Sequence, residues 1–195
     1  ELFAIIKELD RKVIAVFLSV ALLQTLSFYF TSRRFFRANL FEQFQNYSDP
    51  YLLEYLYWFV GDFFTFFVLG ILIIKFGFKE KLSDFGLRLG DYKVGLKISL
   101  VFLFVMIILI WFVSATPSFA EKYPHLSSAK SDWNTLFIFE SGMLLYMFAW
   151  EFIWRGFMLF GLEKKFGGYV VLMQMIPFVI LHNGKPFLET FGAIF

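Results

Sequence analysis

The chain has 195 residues, of which 59% are hydrophobic, 23% aromatic and only 17% charged, and its net charge is +2. That charged share falls well below the quarter typical of soluble domains, so the profile is that of an integral membrane protein. The small net charge, with Lys and Arg spread along the chain, excludes the dense basic face a nucleic-acid partner needs, and the absence of Cys excludes disulfides, thiolate nucleophiles and Cys-ligated metals.

A bilayer-spanning helix needs about 20 predominantly apolar residues. The first such segment is residues 13–30, too long and without a small-residue cleavage site to be a removable signal, so it is expected to act as an anchor. The second, residues 51–76, follows Ser48, Asp49 and Pro50, a cap and first-turn proline. The third, residues 96–115, stops before Pro117, and the fourth runs from about Thr135 to Leu162. The fifth, residues 168–182, is short, holds Pro177 and is expected to be kinked or partly buried; the tail FLETFGAIF is expected to begin a sixth. These segments predict an all-α, polytopic transmembrane helical bundle forming one membrane domain, with N-terminal helices over 1–80 and a core over 81–195.

An N-terminus in the cytoplasm would put Lys7, Arg11, Lys12, Lys75, Lys79, Lys81, Arg88, Lys93, Lys97, Lys164 and Lys165 on one side. Only Arg33, Arg34, Arg37, Lys122, Lys130 and Lys185 would lie on the other, an imbalance that favours this orientation. It also predicts that a site near Glu151 and Arg155 is hydrated from the cytoplasmic face.

Ionisable groups at membrane depth cost several kcal/mol unless paired or hydrated, so each one asks for a role. Glu140, Glu151 and Arg155 fall on one stripe of the fourth helix, because spacings of eleven and four are close to whole turns. Trp150 points about 100° away from Glu151. Taken alone, Glu151 and Arg155 read as an i,i+4 ion pair that pins neighbouring helices. Gln174, Phe178 and His182 share a face of the fifth segment, and Asn183, Gly184, Lys185 and Pro186 end it. An imidazole beside an intramembrane carboxylate can serve hydrolysis, the carboxylate taking a proton from water while the imidazole orients that water or stabilises the oxyanion. Asp62, mid-span in the second helix, reads as an interhelical hydrogen-bonding group, Glu54 as an acid near a helix start, and His125 as a solvated loop residue. Arg33, Arg34 and Arg37, with Phe35 and Phe36, suit an interfacial anchor.

WEFIWRG at 150–156 followed by FVILH at 178–182 resembles the paired signatures of the CPBP (Abi) family of CAAX proteases and bacteriocin-processing enzymes. That family carries E-E-x-x-x-R on one transmembrane helix and F-x-x-x-H on the next, then a later helix with a further His and an Asn or Asp. Glu151 matches the second glutamate, Arg155 the arginine, Phe178 the phenylalanine and His182 the first histidine; the loop at 83–96 also resembles the linker before the family core. The resemblance covers roughly residues 80–195. It implies a CPBP-protease-like bundle in a bacterial inner membrane and hydrolysis of a peptide bond in a membrane-associated protein or peptide. Glu151, Arg155 and His182 would be the catalytic residues, and Phe178, Asn183, Gln174 and Glu189 would line the substrate site.

Two departures open a second reading. Trp150 stands where the family has its first glutamate, and an indole cannot accept a proton. The last motif helix is expected downstream of Phe195. A catalytically inactive scaffold, immunity factor or subunit among other membrane proteins is therefore the alternative. A transporter using Asp62 and Glu151 is a third, without the paired helix breaks many transporters show. Family members are often labelled metalloproteases, so zinc is a cofactor the resemblance allows, while His182 with carboxylates falls short of a metal site on the sequence alone.

Overall fold

The computed structural model describes residues 10–194, so Lys7 of the charge count lies outside them. The described residues are helical with no strand. Four stretches are long and apolar enough to cross a membrane, which bears out the helical membrane architecture.

Helix α1 covers Arg11–Asn39 and is capped by Asp10, whose carboxylate accepts from the Lys12 and Val13 amides. Its axis breaks at Ser32, where an extended backbone lets the hydroxyl recap Arg33–Asn39 through the Phe35 amide. Helix α2, Pro50–Phe78, begins as the sequence predicts, with Asp49 accepting from the Leu52 amide and Pro50 in the first turn. Helix α3, Tyr92–Val113, has every residue exposed except the partly covered Val113 and contributes nothing to the core.

Helix α4 starts as Trp133–Glu151, widens into a π segment over Phe152–Met158 and finishes as Leu159–Phe166. Asp132 caps it through the Thr135 amide, and this hydrogen bond with the Thr135 hydroxyl holds the Asp132 carboxyl below its usual range. Gly167 then takes a positive φ of 54°, which a side chain would resist, and the chain reverses into helix α5, Val170–Ile180. The reversal is why Arg155 touches Phe178, residues that an unbroken helix would hold about 34 Å apart. The fifth segment is thus a hairpin arm of eleven residues, shorter than a span, and the tail forms only the short helix α6, Phe187–Gly192.

Helices α1, α2, α4 and α5 share one core of Val16, Leu23, Phe66, Ile153, Phe157 and Phe178, so the N-terminal helices and the segment after residue 80 pack as one body. Lipid is as apolar as leucine, so helix association here rests on close packing and polar contacts. Two glycines permit that closeness. A Cβ on Gly61 would lie 2.6 Å from Thr31 Cβ, and one on Gly142 would lie 2.8 Å from a Phe59 ring carbon. At the lysine-rich end, Lys12 bonds Glu80 at 2.6 Å and sits over the Phe78 and Phe85 rings.

Candidate functional site

Phe178 is the meeting point of the two motif-bearing helices. It is buried, its ring centre lies 6.2 Å from Trp150 and 4.6 Å from His182, and the Arg155 guanidinium carbon stands 4.8 Å from it. His182 Nδ1 is 2.8 Å from the Phe178 carbonyl oxygen. A carbonyl only accepts, so Nδ1 carries the hydrogen and a neutral imidazole keeps its lone pair on Nε2.

A cavity of about 420 Å³ opens beside this cluster. Trp150, His182, Asn183 and Lys185 form one wall, while Arg33, Tyr55 and Trp58 form the other. His125 joins them, half-buried with its ring 4.5 Å from Tyr123, in place of the solvated position the loop sequence suggests. No carboxylate lines this cavity among the described residues.

Glu151 lies elsewhere. It faces a separate groove of about 290 Å³ with Phe148, Phe152, Arg155, Phe160 and the Phe85–Leu87 loop, and its Oε2 takes a 2.5 Å bond from Arg155 Nη1. The side chains are 37% and 46% exposed, so the ion pair reading of these two residues stands in the structure while the shared-site reading does not. The 100° between neighbouring helix positions decides it: Trp150 takes the direction toward His182, and Glu151 cannot. Glu140 is exposed, away from both cavities.

The remaining candidates also separate. Gln174 is buried, its amide nitrogen bonding the Val171 carbonyl at 3.2 Å, and it does not line the His182 cavity. Asn183 does line it. Glu189 does not; it accepts from Tyr123 Oη at 2.6 Å and Lys185 Nζ at 2.5 Å, and Thr190 fastens α6 to the His182 carbonyl at 3.0 Å. Burial raises the Glu189 carboxyl, but the bonds from Lys185 and Tyr123 outweigh it, leaving Glu189 below its ordinary value of 4.5. Burial, with Glu189 alongside, pushes the Tyr123 hydroxyl up. A lowered carboxyl stabilises the folded state fully above its unfolded value and loses that stability as pH falls through the folded value. Docking of Tyr123 onto α6 is therefore expected to loosen below about pH 4.5, by no more than about 1 kcal/mol given the partial exposure of Lys185. Hydrogen exchange of the Tyr123 region against pH measures this, and Glu189→Gln should flatten the profile; the same profile in that variant would refute it.

The cavity's far wall rests on a polar cluster that sequence reading missed. Glu54 is wholly buried, and both Arg33 Nε and Arg37 Nε donate to it, the latter at 2.8 Å. Arg33 also lies 3.7 Å above the Tyr55 ring, and Tyr55 Oη bonds the His125 carbonyl at 2.9 Å. Two of the three arginines expected at the interface are thus partners of a buried acid. Asp62 has the interhelical role expected of it, accepting from Thr31 Oγ1 at 2.5 Å and Trp58 Nε1 at 2.8 Å.

These contacts also place the cavity. Lys12 and Arg33 stand at opposite ends of α1, about 30 Å apart, and the cavity belongs to the Arg33 end. The Glu151–Arg155 groove, lined by the Phe85–Leu87 loop beside Lys12, belongs to the other end. For zinc, His182 and His125 share the cavity without a third donor, and no cluster of three ligating side chains occurs among the described residues, so this donor set does not fit a catalytic zinc site.

No protein-family model matches the chain, and neither a curated protein nor a solved structure does.

Proposed function

We propose that this chain is a CPBP-like membrane protein that receives a segment of a membrane-associated protein or peptide in the His182 cavity and holds it without glutamate-driven hydrolysis. The observation that carries the reading is the convergence of Trp150, Arg155 and His182 on Phe178, the pairing the family resemblance asks for, with an indole in the cavity where the family has a carboxylate. Membrane-tethered peptides bearing a photo-crosslinker should label Met143 or Met147, which line the cavity. His182→Trp, which fills it, should reduce capture about tenfold, or about 1.4 kcal/mol. Undiminished capture by a folded His182→Trp protein would sink the reading.

Endopeptidase activity is the second reading, and the fixed tautomer of His182 favours it. With Nδ1 committed to the Phe178 carbonyl, Nε2 can take a proton from water as the oxygen attacks a peptide carbonyl, then return it to the departing amine. Asn183 and Lys185, on the same wall, would face the oxyanion. Glu151 and Arg155 would then act only through Phe178, as positioning residues.

A further inference from the structure

A second cavity, of about 330 Å³, adjoins the first and shares Arg33, Trp58, Tyr146, Trp150 and Leu181 with it. Its other lining residues come largely from the end of α1: Gln24, Ser27, Phe28, Ser32 and Arg34. Three features of this wall point to one kind of ligand. Arg34 is exposed and forms no ion pair among the described residues; its contact is with the Phe28 ring, 5.9 Å from the guanidinium carbon. Arg33 gives its Nε to Glu54, and the two arginines that share this acid leave the group one positive charge in excess. Deeper along the same helix, the Gln24 amide nitrogen is buried with no hydrogen-bond partner, a donor that costs about 1–3 kcal/mol to leave unmet. Phe28 and Leu181, 54% and 48% exposed, flank the opening and extend it toward the apolar surface of the bundle.

We propose that this cavity holds a glycerophospholipid with an anionic headgroup, drawn laterally from the leaflet. The phosphate sits on Arg33 and Arg34, an ester carbonyl accepts from the Gln24 amide, and an acyl chain runs along Phe28 and Leu181. The order of groups along α1 matches the order along the lipid: cationic at the helix end, an amide donor about 13 Å deeper, apolar surface beside both. Asp62, the one carboxylate in the lining, is occupied by Thr31 and Trp58. The two cavities share Arg33 and Leu181, but the test uses Arg34 and Gln24, which line only the second, so its failure is distinguishable from that of the protein-binding reading above.

The full chain, delipidated in detergent, would be titrated with dioleoyl phosphatidylglycerol and followed by native mass spectrometry. One tightly bound lipid is expected, with affinity reduced about tenfold in Arg34→Gln and in Gln24→Leu, and unchanged in Arg88→Gln in the loop after α2. Thermal unfolding of each variant verifies folding, and a double variant Arg34→Gln/Gln24→Leu should lose the bound lipid altogether. Equal binding by wild type and folded double variant would overturn the proposal. So would displacement of the lipid by equimolar glycerol 3-phosphate, because that would make the ligand a soluble phosphate with no need of the apolar flank.

Discussion

Glu54→Gln is expected to destabilise the folded chain by about 3 kcal/mol, the cost typical of removing one partner from a buried charge group. Glu54 has no accessible surface, and among the described residues it is the one acid that Arg33 and Arg37 share. Glutamine keeps the volume but presents one carbonyl oxygen where two carboxylate oxygens each took a guanidinium bond. The arginines differ in what they then lose. Arg37 is 57% exposed and turns to water, whereas Arg33, 29% exposed and stacked on Tyr55, remains partly covered with its charge uncompensated. Because Tyr55 also tethers the His125 backbone, the loop that closes the cavity should loosen in the same variant. Unfolding titrations in denaturing detergent, read by Trp fluorescence, give the size. Arg33→Met and Arg37→Met introduced with Glu54→Leu should recover most of the loss, since well-packed apolar groups replace a buried ion cluster at little cost. A loss for Glu54→Gln below about 0.5 kcal/mol, the level of an ordinary surface change, would show that the cluster contributes nothing to stability.

The contrast between Glu54 and Glu151 explains which parts of this protein are legible in its sequence. The spans are legible because length and apolarity alone set them, and the cap at Asp49 is legible because the capping residue is local. The Glu151–Arg155 pair is legible for the same reason, one turn of one helix. Glu54 is not, because its partners are 17 and 21 residues away across a break at Ser32 that no periodicity marks. The site is legible in part. Phe178 and His182 match the second motif by spacing alone, but their meeting with Trp150 and Arg155 depends on the reversal at Gly167, which the structure supplies. Which of Trp150 and Glu151 enters the cavity depends on the rotation of α4, fixed by packing of Trp150 against Phe66 of α2 and Phe178 of α5, and that is tertiary information. Arg33 and His125 escape sequence reading altogether, since they reach the cavity from a helix end and a loop with no motif of their own.

Trp150→Glu is expected to confer or raise peptide hydrolysis by 10²- to 10⁴-fold, the range that one positioned general base supplies. Position 150 lines the cavity that His182 lines, and glutamate is much smaller than indole, so the change both introduces a proton acceptor and opens room for the attacking water. Position 150 also lines the adjoining cavity, where Asp62 is held by Thr31 and Trp58, while Arg33 and Lys185 line the His182 cavity. Removal of the indole also abolishes ring contacts with Phe66, Tyr146, Trp154 and Phe178, so some stability will be lost whatever the chemistry. Trp150→Gln controls for this, having the same truncation without a base. Cleavage of membrane-tethered peptides by Trp150→Glu, absent from Trp150→Gln and abolished by adding His182→Ala, would establish that the cavity is a peptidase site short of one carboxylate. Wild-type cleavage lost in His182→Ala would instead favour the imidazole as base and retire the binding-only reading. If Trp150→Glu folds, captures peptide and leaves it intact, the convergence on Phe178 serves recognition alone, and the resemblance to a protease is one of architecture.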